Sequence, residues 1–301
     1  MSMAAGIPLG YTAMPIRGGQ WGSPGMHSNL QPNPEGGPAM AWKLATFNVN
    51  GIRARLATVV DWIGEQQPDV LCLQEIKCQD RDFPVGPFEA VGYHVSVRGQ
   101  KSFNGVAILS RRQPAELITA FADGDPDDEA RLIAASVDSV WVVNTYVPQG
   151  RDPELPAFQS KLGFFRRLKR WLAGRFDPNQ PLIWTGDINV APTALDVFDP
   201  KRLAGSVGFH PLEHQALAEV AAWGLVDCFR HHHPDRMQFT FWDYRLPKSF
   251  ERNLGWRIDH ILATRPLAGA CLDCRVESEL RGRANPSDHT PVWAEFALDR
   301  L

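Results

Sequence analysis

The chain has 301 residues, of which 44% are hydrophobic and 22% are charged, and its formal net charge at pH 7 is -3. This composition is typical of a soluble globular protein with one large or two small domains. The slight negative charge gives no global sign of nucleic-acid binding, so a polyanionic partner would have to meet a local basic patch. No run of 18 apolar residues occurs, which predicts no membrane span, no membrane partner and a cytoplasmic location.

The first 39 residues differ from the rest because they are rich in glycine and proline and contain only two charged residues, Arg17 and Glu35. We interpret residues 1–39 as a flexible tail and residues 40–301 as one catalytic domain. The five cysteines are scattered, which does not favour a disulfide framework. Cys271 and Cys274 form a single C-x-x-C pair without a second pair nearby, so we do not predict a zinc site there.

Polar residues follow the first two predicted strands. Residues 42–48 form a strand pattern that ends in Asn48, with Asn50 two positions later, and apolar residues at helical spacing follow from Ile52. A second buried strand, residues 70–74, ends directly before Glu75. A carboxylate at the end of a buried strand is a candidate for chemistry, although a surface turn charge is the simpler alternative.

The middle of the chain contains another strand at residues 104–110, a predicted hairpin and the clearest helix. The hairpin strands span residues 131–137 and 140–147, and the second ends around Tyr146. Residues 155–172 place apolar side chains on one helical face, and we interpret the charges on the other face, from Lys161 to Arg170, as a solvated surface.

The buried strand that ends at Gly186 is followed by Asp187 and Asn189, separated by the apolar Ile188. The period of a strand places residues 187 and 189 on one side, pointing out of a strand end, where α/β folds place their chemistry. A simple turn cap, in which both side chains hold the backbone, is the competing interpretation.

The last third of the chain contains a helix over residues 212–223 and a predicted loop at His231-His232-His233. An aromatic strand over residues 239–244 and a basic loop at residues 245–253 follow. The next strand, residues 256–262, contains Asp259 within an apolar run, so we expect a buried carboxylate with a partner. The turn at residues 285–291 contains Asp288 and His289 and precedes a final strand over residues 292–296. These elements predict two packed sheets with helices outside.

The polar residues at strand ends would gather along one rim of such a sandwich. They are Asn48, Glu75, Tyr146, Asp187, Asn189, Asp259, Asp288 and His289. Hard oxygen ligands favour Mg²⁺ or Mn²⁺ over Zn²⁺, and a buried Asp259 could fix the tautomer of His289. Because these motifs contain no Ser or Cys nucleophile, they favour attack by water and suit phosphodiester hydrolysis.

Seven motifs in chain order add a family resemblance: FNVNGIRA, LQEIK, NGVAILS, TYVPQG, GDINVAP, GWRIDHIL and PSDHTPVW. Together they resemble the exonuclease III family of apurinic/apyrimidinic endonucleases, of bacterial type, within the endonuclease/exonuclease/phosphatase superfamily. The resemblance implies a four-layer α/β sandwich of two mixed sheets flanked by helices. It also implies a Mg²⁺-dependent enzyme that incises DNA 5′ to abasic sites and trims 3′ ends, with Mn²⁺ as a substitute metal.

The resemblance further implies roles for individual residues. Glu75 is the expected principal metal ligand with Asn48 and Asp288 nearby, and the wider metal set includes Asp187, Asn189 and His289. Asp187 would orient or deprotonate the attacking water, Asn189 would stabilise the phosphoryl charge, and Tyr146 and the Asp259-oriented His289 would contact the phosphate.

The expected partner is double-stranded DNA with abasic sites or blocked 3′ ends, bound by a monomer. The predicted DNA contacts are Arg53, Lys77, Lys101, Arg131, Arg245, Lys248 and Arg257, since all lie in or beside the site loops. Trp256 is a candidate wall for a base-free sugar, whereas for Phe241 we favour core packing. The alternatives are a phosphodiesterase or phosphatase of the same fold acting on a non-DNA phosphoester, and a catalytically silent binding scaffold.

Overall fold

A computed structural model describes residues 41–125 and 129–301 of the chain, so the predicted tail at residues 1–39 lies outside the described part. Within these ranges the strands are β1 (Trp42–Asn48), β2 (Val70–Gln74), β3 (His94–Arg98), β4 (Val106–Ser110), β5 (Glu116–Ile118), β6 (Leu132–Val137), β7 (Val140–Tyr146), β8 (Leu182–Asp187), β9 (Leu225–Asp227), β10 (Asp259–Thr264), β11 (Cys271–Val276) and β12 (Val292–Phe296). The helices are α1 (Ile52–Gln66), α2 (Val85–Ala90), α3 (Pro156–Arg175), α4 (Pro200–Leu203), α5 (Pro211–Ala221), α6 (Cys228–His232) and α7 (Arg265–Gly269). None of the helices in this part of the chain is long and apolar enough to cross a bilayer.

The strands form two mixed six-stranded sheets with the same pattern at their centres. The first sheet has the order β11-β12-β1-β2-β4-β3 and the second β5-β6-β7-β8-β10-β9. The pairs β1–β2 and β7–β8 are parallel, whereas β12 and β10 run antiparallel beside them. In each sheet the carboxyl ends of the two parallel strands therefore lie beside the start of an antiparallel neighbour, β12 in the first sheet and β10 in the second. These six strand ends lie along one rim of the sandwich.

Four layers pack around three apolar clusters, which confirms the predicted α/β sandwich. Alternate residues of β1, β2, β6 and β8, such as Leu44 and Ile183, fill the space between the sheets. The opposite faces of the sheets pack against helices, with Trp62 of α1 on the first sheet and Leu168 of α3 on the second. The period of a strand explains this division, since successive side chains point to opposite faces.

A buried polar contact joins the two sheets one residue before Glu75. The Gln74 amide donates to Asn144 Oδ1 at 2.7 Å and to Thr46 Oγ1 at 2.9 Å, and the Asn144 amide donates to the carbonyls of Leu73 and Ala107. These hydrogen bonds fix how β2 of the first sheet faces β7 of the second, beside the rim.

Two local predictions are wrong. Residues 239–244 do not form the predicted strand. Within this segment Phe241 makes only isolated bridges, to Trp256 and His289. The loop predicted at the three histidines is wrong for His231 and His232, which lie in α6. The Asp227 side chain accepts from the Arg230 N–H at 3.2 Å and caps this short helix, which ends before Pro234.

Candidate active site

The ends of three strands bring two carboxylates and an amide together across the two sheets. The Asn48 amide nitrogen donates to Glu75 Oε1 at 2.9 Å and to Asp187 Oδ2 at 2.8 Å. Asn48 is fully buried and Asp187 is only 1% exposed, whereas the Glu75 side chain keeps some contact with solvent. Asn48 thus links the carboxylate of the first sheet to that of the second.

Tight turns directly after the strands give these side chains their directions. Glu75 and Asn189 adopt left-handed φ angles of 48° and 56°. Asp187 Oδ1 accepts from the Asn189 N–H at 3.0 Å, so the turn-cap interpretation of Asp187 is correct for one of its oxygens. Its other oxygen faces Asn48 and the rim. Gly186, with φ 130°, has no substitute here, because a Cβ would lie 2.0 Å from the Thr145 carbonyl oxygen.

A histidine–carboxylate pair closes the other side of the rim. His289 Nδ1 lies 2.8 Å from Asp259 Oδ2, and His289 Nε2 lies 3.8 Å from Asp187 Oδ2. Asp259 stands opposite Asp187 in the β8–β10 register, which places it there. The ring of Phe241 contacts the imidazole, with 4.8 Å between the ring centroids.

The burial of these groups changes their proton affinities in different directions. Burial raises the pKa of Asp187 to about 7, and the carboxylates of Asp259 and Glu75 add to this shift against the opposing His289. Burial alone would lower the pKa of His289, but attraction to Asp259 and Asp187 raises it to about 10. Burial would likewise raise the pKa of Glu75, yet hydrogen bonds from Asn48 and Lys77 bring it below the usual value. The site therefore combines an ionised Glu75, a protonated His289 and an Asp187 that can accept a proton near neutral pH.

Glu75, Asp187 and His289 could hold a metal ion, since one possible ligand atom from each lies within 4.8 Å of the others. The carboxylate oxygens fit a hard divalent cation. The protonated His289 fits a donor to an anion better than a metal ligand, because both ring nitrogens of an imidazolium are donors. Asp288 is farther along the rim, where its Oδ1 accepts from the Asn50 amide at 2.9 Å.

Tyr146 and Asn189 complete the predicted catalytic set. Both side chains line the same cleft as Glu75, Asp187 and His289. Burial raises the pKa of the Tyr146 hydroxyl well above its usual range, and the charges of Glu75 and Asp187 add to this effect, so the group remains a neutral donor. One N–H of the Asn189 amide donates to the Val147 carbonyl at 2.9 Å.

The cleft has a volume of about 1300 Å³ and one apolar wall. Phe198, Phe241, Leu254, Trp256 and Ile258 supply this wall. Trp256, the predicted candidate wall for a base-free sugar, lines this cleft. The expectation of core packing for Phe241 is only half right, because it packs on Trp256 and also lines the cleft.

The predicted DNA-binding cations fall into three groups. Arg53, Lys101, Arg245 and Lys248 are exposed. Lys77 lies in the site, 2.9 Å from Glu75 Oε2, and Arg131 stacks on the Tyr146 ring at 4.8 Å. The prediction that Arg257 contacts DNA is wrong, because its side chain is 1% exposed and lies behind the cleft wall, where it cannot reach DNA.

Arg257 instead neutralises two carboxylates. Its guanidinium lies 2.6 Å from Asp196 Oδ1 and 2.8 Å from Asp227 Oδ2, and it contacts His260 Nδ1 at 3.0 Å. Burial opposes the shift, but the Arg257 charge lowers the pKa of both Asp196 and Asp227 below the usual value. This network supports the segment between Trp256 and Asp259.

Substitution Arg257→Met is expected to reduce the free energy of unfolding by about 3–5 kcal/mol at neutral pH, because it leaves buried carboxylates unpaired. Because the pKa values of Asp196 and Asp227 are lowered in the fold, the ion pairs stabilise the protein fully above about pH 4, the ordinary pKa of an aspartate. This stabilisation is lost as the pH falls through the pKa values of the folded state. Urea unfolding of both proteins at pH 7 and in acid measures the difference. Arg245→Met, which removes an 85% exposed side chain, is the control; equal stability of the two variants would contradict the assignment.

Several supporting residues are not predicted from the sequence. Asp196 and Asn144 are fully buried partners, and Ser287 Oγ donates to the Asn48 carbonyl at 2.8 Å. The prediction of a solvated helix face is wrong for Lys161, because its side chain is fully buried. Asn144 is a polar residue within an apolar strand, a pattern that indicates a buried partner. No such pattern marks Lys161.

Comparison with known proteins agrees with this geometry. The Endonuclease/Exonuclease/phosphatase family model matches residues 45–289. The chain is 37% identical to exodeoxyribonuclease III of Haemophilus influenzae, covering 84% of this chain and 99% of the relative. It is 30% identical to the DNA repair nuclease APEX1 of Danio rerio, covering 87% and 84%.

Solved structures show the same architecture. An AP endonuclease from Archaeoglobus fulgidus superposes with a TM-score of 0.82 at 42% identity, covering 85% of this chain and 99% of that one. A 3′ phosphatase from Neisseria, bound to product DNA hairpin, gives a TM-score of 0.81 at 36% identity, covering 85% and 99%. The chain therefore belongs to the Endonuclease/Exonuclease/phosphatase family, among its exodeoxyribonuclease III and AP endonuclease members.

Proposed function

We propose that this chain is a Mg²⁺-dependent DNA repair nuclease that incises the backbone 5′ to abasic sites and trims blocked 3′ ends, acting as a monomer. The strongest support is that Glu75, Asp187 and His289 lie close together at one rim, beside the apolar wall of the cleft. The similar proteins are an exodeoxyribonuclease III, a DNA repair nuclease, an AP endonuclease and a 3′ phosphatase, which supports the same substrate class.

In this proposal Asp187 accepts the proton of the attacking water. Its Oδ2 is fixed by the Asn48 amide at 2.8 Å, and its pKa of about 7 matches a base that works near neutral pH. The sheet holds the carboxylate rigidly, because the β8–β10 pairing continues to Asp187 and Asp259 themselves. Fixed geometry of this kind reduces the entropy cost of aligning water with phosphorus.

Neutral and cationic donors surround the position of the phosphate. His289 Nε2 would donate to a non-bridging oxygen while Asp259 holds Nδ1, and the hydroxyl of Tyr146 would donate from the other side of the cleft. The Asn189 amide has a second N–H, which adds a third donor. Donors fixed before the reaction stabilise the charge that builds on the phosphoryl oxygens.

Glu75 would be the principal ligand of the Mg²⁺, and Asp187, Asn48 and Asp288 would lie nearby. When bound, a divalent cation polarises the phosphoryl oxygens and lowers the barrier to displacement. Lys77 and Asn48 keep Glu75 ionised and therefore ready to bind it.

Substrate selection would depend on the apolar wall of the cleft. A deoxyribose without a base leaves the helix at less cost than a paired nucleotide and can lie against Trp256 and Phe241. The exposed cations Arg53, Arg245 and Lys248 would contact phosphates without reading sequence.

A substrate panel tests the proposal. Duplexes with one abasic site, with a 3′-phosphate, or with neither lesion would be incubated with enzyme and Mg²⁺ alongside an inositol polyphosphate. Cleavage 5′ to the abasic site and release of 3′-phosphate are expected, with intact duplex degraded more slowly. Hydrolysis of the inositol phosphate without action on damaged DNA would contradict the proposed substrate class.

Substitution Glu75→Gln is expected to raise the Mg²⁺ concentration for half-maximal activity by at least about tenfold, because it removes a negative ligand. A Mg²⁺ titration of initial rates on abasic duplex, with EDTA as the zero point, measures this effect. Glu219→Gln, on the exposed surface of α5, is the matched control and should leave the titration unchanged. An unchanged titration for Glu75→Gln would remove Glu75 from the metal site.

A further inference from the structure

A buried ion pair lies beneath the loops of the site. Lys161 of α3 and Glu213 of α5 contact each other, and both side chains are 0% exposed. The same helices also make an exposed pair, Lys169–Glu219, at 3.3 Å with both side chains nearly half exposed. The buried pair is therefore not the only charged link between α3 and α5.

The hydrogen bonds of the buried pair go to the loops that line the cleft. Lys161 Nζ donates to the Asn189 carbonyl at 2.7 Å and to the Gln149 carbonyl at 3.3 Å. Glu213 Oε2 accepts from the Gly208 N–H at 2.7 Å and from the His210 N–H at 3.2 Å. Lys161 thus holds the loops that follow β7 and β8, and Glu213 holds the loop that precedes α5.

The loops at Asn189 and Gly208 need this support because of their backbone geometry. Asn189 is left-handed, and its carbonyl points to Lys161 while its amide side chain contacts Val147. Gly208 has φ 87°, and a Cβ there would lie 3.3 Å from the Trp256 ring, so the loop backbone packs against the cleft wall. The Gly208 carbonyl accepts from the Ala191 N–H at 2.7 Å and joins the loops to each other.

We propose that Lys161 and Glu213 form a positioning pair that sets the catalytic Asn189 loop and the Trp256 wall of the cleft relative to each other. The inference rests on the proposed function for its kinetic effect. Burial of two charges is costly, and an apolar pair often stabilises a fold as well. The pair instead satisfies four backbone groups of three loops that a hydrocarbon side chain would leave unpaired.

Kinetics on abasic duplex and hydrogen exchange together test the pair. Lys161→Met is expected to lower kcat by about 10- to 100-fold with KM within about twofold, because a small displacement of the Asn189 loop misaligns the reacting groups. Amide exchange should accelerate in residues 186–192 and 205–210 but not in β1, β2 or α1. Lys169→Met, the exposed residue on the same helix, should match the wild type in both measurements.

Glu213→Gln gives a second variant of nearly the same shape, in case Lys161→Met does not fold. Its amide cannot satisfy the Gly208 N–H and Lys161 in the same way as a carboxylate, so exchange in residues 205–210 and KM should rise. A kcat and an exchange pattern like those of Lys169→Met would overturn the proposal, as would faster exchange spread evenly over the domain. If the wild type did not incise abasic DNA, the proposed function would fail. The exchange pattern of the variants would still show whether Lys161 and Glu213 hold these loops in position.

Discussion

Substitution Asp187→Asn is expected to lower kcat on abasic duplex by about 10²- to 10⁴-fold, the range for loss of a general base. The amide keeps the shape of the side chain and one acceptor for Asn48 or the Asn189 N–H, but it cannot take a proton from water. The loss should appear in kcat more than in KM, because the proposed role of the carboxylate is to act on water rather than to bind the DNA.

The same variant should be at least as stable as the wild type at neutral pH. Burial raises the pKa of Asp187 to about 7, which means that the fold disfavours its ionised form. Removal of this charge therefore relieves an unfavourable desolvation. Thermal unfolding and single-turnover kinetics would be measured side by side, with Asp177→Asn in an exposed turn as the control. A variant that retains the wild-type kcat would contradict the role of Asp187.

Substitution Asp259→Asn is expected to lower kcat by about 10³-fold or more, the scale seen when a carboxylate that orients a histidine is replaced by an amide. Asp259 is 1% exposed and lies 2.8 Å from His289 Nδ1. The amide would favour the wrong tautomer and would no longer hold the imidazolium charge, so His289 would lose its role as a cationic donor.

The stability that His289 contributes should fall as the pH rises. The pKa of His289 rises from 6.5 to about 10 in the fold, so its contribution to stability is complete below about pH 6.5 and is lost as the pH rises toward 10. In Asp259→Asn the imidazolium should lose its proton at lower pH, which shifts the alkaline limb of the kcat profile downward in pH.

A double-mutant cycle with His289→Gln separates this pair from independent effects. Since the two residues act as a unit, the double variant should be about as impaired as either single one. Additive losses would contradict the pairing.

The residues that the sequence places correctly lie where a hydrophobic run stops. Asn48 and Asp187 are the last residues of buried strands, and Glu75 directly follows one. The period and length of these strands are evident from the apolar residues before them. Since parallel strands end at one edge of a sheet, their meeting at the rim also follows from the pattern. The two-sheet architecture is predictable for the same reason.

The residues that the sequence misplaces depend on contacts between distant segments. Trp256 and Arg257 are neighbours, yet one lines the cleft and the other pairs with Asp196 and Asp227 behind it. Lys161 and Lys169 lie on the same helix, and both pair with a glutamate of α5. Lys161 is nevertheless buried, since it also contacts the carbonyls of Gln149 and Asn189 in the site loops. A helix periodicity identifies the apolar face but does not indicate which charge at its edge a second helix will cover.

The most direct test of the proposed site is single-turnover incision of a labelled duplex with one synthetic abasic site, in Mg²⁺ and in EDTA, by the wild type and by Asp187→Asn. We expect cleavage 5′ to the site that requires the metal and falls to the EDTA level in the variant. Incision that persists in Asp187→Asn at the wild-type rate, or an abasic duplex left intact by a folded wild-type enzyme with Mg²⁺, would contradict the assignment of this rim as a DNA phosphodiester hydrolysis site.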